Sequence, residues 1–132
     1  MITDKKIAII GYGVMGKAIV SSLIGDGKVK LENLIVVEPT PDRLDVLQQE
    51  FGIKGYADSA DVIGQADIAI LAVKPQGLNH LSKSVKGNIK SDALVISIMA
   101  GVSLATLIEK LGVEQVVRAM PNTPAQIGMG IT

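Results

Sequence analysis

Three glycines spaced as Gly11, Gly13 and Gly16, with Tyr12, Val14 and Met15 between them, directly follow the apolar run Ile7 to Ile10 and open a segment with helical spacing. In that context each glycine has a use. The first allows a tight turn, the second lets a diphosphate approach the backbone, and the third lets helix and strand pack closely. The bared N–H groups and the positive end of the helix then attract the phosphates of a nucleotide. About 20 residues beyond such a loop a carboxylate commonly accepts hydrogen bonds from the adenosine ribose, and Glu38 stands at that distance, after the second apolar run. It favours NAD. Thr40 and Arg43 follow at once, and a hydroxyl with a guanidinium in that turn suits the 2'-phosphate of NADP. Their other reading is a helix cap and a solvated charge, so these residues leave NAD and NADP both open.

A loop of this kind works only if strands and helices hold it. Short apolar runs recur at Ile7 to Ile10, Leu34 to Val37, Ile68 to Val73 and Leu94 to Ile98, with a weaker one at Val116 to Ala119. None alternates polar with apolar, so each is expected to be a strand covered on both faces. Between them, Met15, Ala18, Ile19 and Leu23, then Leu44, Leu47 and Phe51, then Leu104, Leu107, Ile108 and Leu111 fall at helical spacing. Thr40 with Pro41 reads as a helix start, and Ser103 and Gly112 as the cap and stop of the last helix. Shorter helices are expected over 59–65 and 76–86. Strands alternating with helices predict an α/β domain: a doubly wound, mostly parallel, Rossmann-like sheet in a three-layer α/β/α arrangement.

In such a sheet a ligand crosses the carboxyl ends of the strands. The last three of these runs lead into Ala72, Val73, Lys74, Pro75 and Gln76, into Ser97 to Val102 including Ala100 and Gly101, and into Met120 to Pro124 including Asn122. These loops could line the far half of the groove. Lys74 is either an acid or a solvated charge, Ser97 either a ligand or a buried strand hydroxyl, and Asn122 either an amide contact or a local turn. His80 reads as a surface helix residue and the Met residues as core. No His and carboxylate set, metal-ligand spacing or Ser, His and Asp order is present, so no catalytic residue is assigned, no metal is expected, and any chemistry would be the cofactor's.

Composition agrees with a small-molecule site. With 132 residues, one domain is expected, and 48% apolar residues against 2% aromatics make its core aliphatic. Lys plus Arg equals Asp plus Glu at 13 each, which leaves no net field for nucleic acid or an acidic membrane. The absence of Cys excludes disulfides and thiolate chemistry. No apolar run approaches a membrane span, and a cytoplasmic location is expected.

The segments IIGYGVMGKAI, EPTPDR, AVKPQ, SIMAGV and RAMPNTPAQIGMG, in this order and across essentially the whole chain, resemble pyrroline-5-carboxylate reductases. The resemblance implies hydride transfer from NADPH or NADH to the C=N bond of 1-pyrroline-5-carboxylate, giving L-proline. It places the glycine loop at the pyrophosphate, Thr40 and Arg43 by the adenosine ribose, and Val73 to Gln76, Ser97 to Gly101 and Met120 to Asn122 along the nicotinamide. Glu38 departs from an NADP-preferring pattern, because a carboxylate there repels a 2'-phosphate. Members continue past the MPNTP segment into a helical dimerisation domain that supplies much of the substrate pocket. The resemblance therefore implies residues 1–132 as the cofactor domain, a homo-oligomer, and slow turnover or none by this chain alone. Apolar residues at Ile127 to Ile131 are expected to favour self-association. Alternatives are the cofactor domain of a beta-hydroxyacid or prephenate dehydrogenase, and a non-enzymatic dinucleotide-sensing module.

Overall fold

The aliphatic runs become five parallel strands, β1 (Ile7–Ile10), β2 (Leu34–Val37), β3 (Ile68–Leu71), β4 (Leu94–Ser97) and β5 (Val116–Arg118). Among the described residues four α-helices accompany them, α1 (Val14–Gly25), α2 (Pro41–Phe51), α3 (Leu78–Val85) and α4 (Leu104–Leu111). This computed structural model describes residues 4–27, 29–60 and 62–119, so Met120, Asn122 and the Ile127 to Ile131 stretch lie outside the described residues.

The sheet order is β2-β1-β3-β4-β5, with β1 in register against both β2 and β3. Beyond β2 a further strand position is reduced to one residue, Tyr56, which bridges Val37 in parallel. The Tyr56 N–H donates to the Val36 carbonyl at 2.9 Å and its carbonyl accepts from the Glu38 N–H at 2.8 Å. The chain thus winds outward from β1 over α1 and α2, then returns to the other side of β1, which makes the gap between β1 and β3 the switch point where ligands bind in this architecture.

Two cores result, one per face. Ile7, Ile9, Leu34 and Val36 pack against Val20 of α1 and Leu47 of α2, while Ala8, Ile10, Ala69, Leu71 and Val95 meet Leu81 and Val85 of α3 and Leu107 and Leu111 of α4. Each fully buried Leu, Ile or Val contributes about 1.5–3 kcal/mol. The three layers and the parallel sheet are as expected from the sequence.

Several local expectations need correcting. Coverage on both faces holds for β1 and β2, but in β3 and β4 burial alternates, leaving Ile68, Ile70, Leu94 and Ile96 half-buried. The α1 and α2 core takes in Ile68 and Ile70 only in part and contains no residue of β4. Among the described residues of 59–65 the helical structure is a 3-10 turn, Ile63–Gln65. Gly64 inside so short a segment disfavours helix, and the Ser59 carbonyl accepts from both the Val62 and Ile63 N–H groups in a tight turn. The helix expected over 76–86 begins as a separate 3-10 turn, Pro75–Gly77, closed by the Gly77 N–H on the Lys74 carbonyl. Thr40 does precede α2 with Pro41 in its first turn, yet its side chain makes no capping bond to the helix. Ser103 caps α4 as expected, accepting from the Thr106 N–H, and Gly112 ends that helix at φ +66°.

Candidate functional site

The carboxyl ends of β1, β2, β3 and β4 open on one groove of about 650 Å³. Its near wall is the glycine loop and the β2 to α2 turn, and its far wall is Ala72 to Pro75 with Ile98 to Ala100. The near wall depends on missing side chains. A Cβ at Gly11 would sit 2.8 Å from the Ala72 carbonyl oxygen, and Gly11 holds φ +104°, where side chains are strained. A Cβ on Gly16 would run into the Gly11 carbonyl oxygen. At Gly13 the nearest heavy atom to such a Cβ is Arg43 Nη1 at 3.7 Å, so the guanidinium lies close beside the glycine.

The loop is tied down from both sides. The Gly11 N–H donates to the Val37 carbonyl at 2.8 Å, and one residue on, the Tyr12 N–H donates to Glu38 Oε1, also at 2.8 Å. Glu38 is 2% exposed. Its Oε2 accepts from the Thr40 N–H at 2.9 Å, and Arg43 Nη1 stands 3.5 Å from Oε1. Burial by itself raises the Glu38 pKa, but the Tyr12 and Thr40 amides, the Thr40 hydroxyl and the Arg43 charge outweigh it and hold the carboxyl below its ordinary value.

Among the residues singled out by sequence, Gly11, Gly13, Val14, Met15, Glu38, Thr40, Arg43, Val73, Lys74, Pro75 and Ala100 line the groove. Others stand behind it. The Tyr12 ring is buried in the α1 and α2 core, where burial and the Glu50 carboxylate push its phenol up to about 12. Its hydroxyl has no hydrogen-bond partner among the described residues. Gly16 supports the loop from within α1. Ser97 is 1% exposed and its Oγ accepts from the Met99 N–H at 3.2 Å, which shapes the loop after β4. Gln76 is exposed in its 3-10 turn, and Gly101 turns the chain at φ +74° beside the groove residue Ala100.

Ala72, Ile98 and Met99 also line the groove, within the loops expected there, and Pro39, which adjoins Glu38 in sequence, lines it without having been singled out. A second hollow of about 200 Å³ shares Gly11, Pro39 and Val73 with it and adds Ala57 to Ser59 and His80. The segment 57–59 carried no signal beyond its polarity, because its position depends on the Tyr56 bridge.

A parallel sheet whose glycine-bared loop faces a groove at the switch point is the Rossmann-like arrangement of dinucleotide-binding domains. The chain belongs to the family described as NADP oxidoreductase coenzyme F420-dependent, whose model matches residues 6–101. It is 41% identical over 130 residues to the pyrroline-5-carboxylate reductase of Escherichia coli, covering 98% of this chain and 48% of that protein. Among solved structures it resembles a pyrroline-5-carboxylate reductase from Coxiella burnetii, at TM-score 0.86 and 32% identity over 93% of this chain and 46% of that one. It also resembles the Plasmodium falciparum pyrroline carboxylate reductase with NADP bound, at TM-score 0.76 and 27% identity over 98% and 47%. The chain spans about half the length of the curated relatives it matches.

Proposed function

We propose that this chain is the dinucleotide-binding domain, residues 1–132, of a pyrroline-5-carboxylate reductase working with NADPH or NADH. The observation that carries the reading is the cradle itself: at Gly11 and Gly16 a Cβ would strike backbone oxygens, so the loop packs tightly between β1 and α1 and brings the first turn of α1, whose N–H groups take no part in helix bonds, to the groove, where a diphosphate would be held. Similarity to reductases of this name along 98% of the chain supports the substrate.

When bound, NADPH or NADH supplies the hydride for the imine carbon of 1-pyrroline-5-carboxylate, while the ring nitrogen takes a proton, giving L-proline. The chain's own part is to bind and orient. Gly11 to Gly16 and the start of α1 hold the diphosphate, and the β2 to α2 turn receives the adenosine. Val73 to Pro75 and Ile98 to Ala100 border the nicotinamide, with Ser97 shaping that loop, and Asn122 and Gly101 belong to the same reading. Gln76 follows this wall at its rim. A homo-oligomer rests on the resemblance alone. A cytoplasmic setting is in keeping with the finding that no helix among the described residues is long and apolar enough to cross a membrane.

Calorimetric titration with NADPH and with NADH tests the cofactor, and micromolar affinity for at least one is expected. A chimera in which this chain replaces the matching half of the Escherichia coli relative tests the substrate. It should oxidise NADPH or NADH only when 1-pyrroline-5-carboxylate is added, and a chimera that folds and binds dinucleotide but leaves the imine untouched would sink the substrate assignment.

A further inference from the structure

One face of the sheet is left open over β3, β4 and β5. Register aligns Ile9, Ile70, Ile96 and Val117 in one row across β1, β3, β4 and β5, and Ile7, Ile68 and Leu94 in the next. Ile7 and Ile9 are buried under α1 and α2. Beside them Ile68, Ile70, Leu94 and Ile96 are half-buried and Val117 is 47% exposed. On α1, Lys17 reaches Glu50 of α2, and the half-buried Ile19 and Leu23 fall on the opposite flank of the helix, packed on the same core as Ile68 and Ile70. The result is an apolar strip walled by α1 on one side and ending at the β5 edge of the sheet on the other.

The topology explains the opening. α3 joins β3 to β4 and α4 joins β4 to β5, both stepping the same way across the sheet, and right-handed crossovers then put both helices on one face. There Leu81, Val85, Leu107 and Leu111 close the core. Among the described residues no helix covers the other face of β4 and β5. Parallel strands are ordinarily covered on both faces. Three strands span about 10 Å, the width of one packed helix.

A second copy of the chain fits the strip poorly, because five partly covered aliphatic side chains offer less than the roughly 800 Å² per partner that a stable interface buries. A helix on the same polypeptide needs no such area, since its tether keeps it close. The chain leaves β5 beside the strip, with the Ala119 N–H on the Ser97 carbonyl. Residues 120–132 include Pro121, Pro124, Gly128 and Gly130, a composition that disfavours a helix, and the Escherichia coli relative is about twice as long as this chain, which covers 48% of it. We propose that the strip formed by Ile68, Ile70, Leu94, Ile96 and Val117 seats one amphipathic α-helix, aliphatic on its buried side, from the half of the reductase that lies outside residues 1–132. The proposal rests on the functional reading above and adds where the second half docks. Met15 on α1 and Ile98, two residues past Ile96, line the groove, so a helix lying along the strip ends beside the groove and ties the second half to it.

The chain has no Cys, so single cysteines report what is covered. Ile96→Cys and Val117→Cys lie in the strip, and Val46→Cys on α2, where Val46 is 37% exposed, is the control. Thiol alkylation at each position is followed by mass spectrometry in the 132-residue chain and in the chimera that carries the second half of the Escherichia coli relative. In the chimera both strip cysteines should react at least about tenfold more slowly than in the chain alone, with Val46→Cys unchanged within about twofold. If the chimera does not fold, the second half is added as a separate chain, and the same protection is expected. The inference is overturned by strip cysteines that react equally fast with and without the second half. It is also overturned by protection in the chain alone that grows with its concentration, which assigns the strip to a second copy. Protection in a chimera that binds dinucleotide but leaves the imine untouched removes the substrate assignment and upholds the docking, whereas imine-dependent oxidation with an unprotected strip removes the docking alone.

Discussion

The two walls of the groove are built by different means. On the near wall one buried carboxylate gathers two amides and a guanidinium, so that Tyr12, Thr40 and Arg43 converge on Glu38. On the far wall the positions are set mostly by backbone. The Ala72 N–H extends the β1 to β3 ladder onto the Ile10 carbonyl, the Ile98 N–H extends the β3 to β4 ladder onto Leu71, and a side chain enters through the Met99 N–H donating to Ser97 Oγ. Side-chain substitutions should therefore break the first wall selectively and leave the second nearly intact. Glycine, which touches both walls through the Gly11 and Ala72 contact, should be the common point of failure.

The largest effect is expected at Gly16→Ala. The added methyl collides with the Gly11 carbonyl oxygen, so thermal unfolding should show a loss of at least about 2 kcal/mol, with dinucleotide binding abolished. A variant of wild-type stability would mean that the loop does not pack on α1 as described.

Acid should dismantle the near wall first. Glu38 has a folded-state pKa below its ordinary value of 4.5, so its stabilisation is fully present above that value and is lost as pH falls through the lower, folded one. The stability gap between wild type and Glu38→Gln, measured by denaturant unfolding, should be constant near neutrality and close on acidification below 4.5. A gap that persists undiminished at the lowest pH at which the chain stays folded would contradict the assignment of the bonds to the ionised carboxylate.

On the other wall, Ser97→Ala removes the acceptor for the Met99 N–H and should cost about 1–2 kcal/mol, with the NADPH to NADH ratio unchanged. Tyr12→Phe should go the other way. Its hydroxyl is buried without a partner among the described residues, so deleting it should raise stability by up to about 1 kcal/mol and leave binding as it was. A clear destabilisation would reveal a partner for that oxygen. Lys74→Ala is expected to do least, less than about 0.5 kcal/mol in stability, since the lysine is exposed at the groove rim.

Much of the near wall could be read from the chain because local chemistry dictates it. A glycine triplet between a strand and a helix, an acid about 20 residues on, and a Thr-Pro helix start each carry their geometry in a few consecutive residues. The same locality explains what was misread. Thr40 has the identity of a capping residue, but its side chain makes no capping bond and the carboxylate two residues earlier takes its amide. The segment 59–65 has helical residues, yet it must return from the Tyr56 bridge to β3 and spends its length on a tight turn and one 3-10 turn. Uniformly apolar strands suggested cover on both faces, whereas burial of Ile70 and Ile96 depends on how far α1 and α2 reach across the sheet.

By itself the sequence determined the alternation of strand and helix, the aliphatic cores and the site of the bared loop, because hydrophobic period, glycine and proline act over one or two turns of chain. Only the tertiary structure decided what Glu38 is for. Its amino-acid type is compatible with a ribose acceptor or an internal latch, and the choice depends on Tyr12, 26 residues away, arriving within hydrogen-bond distance when β1 and β2 pair.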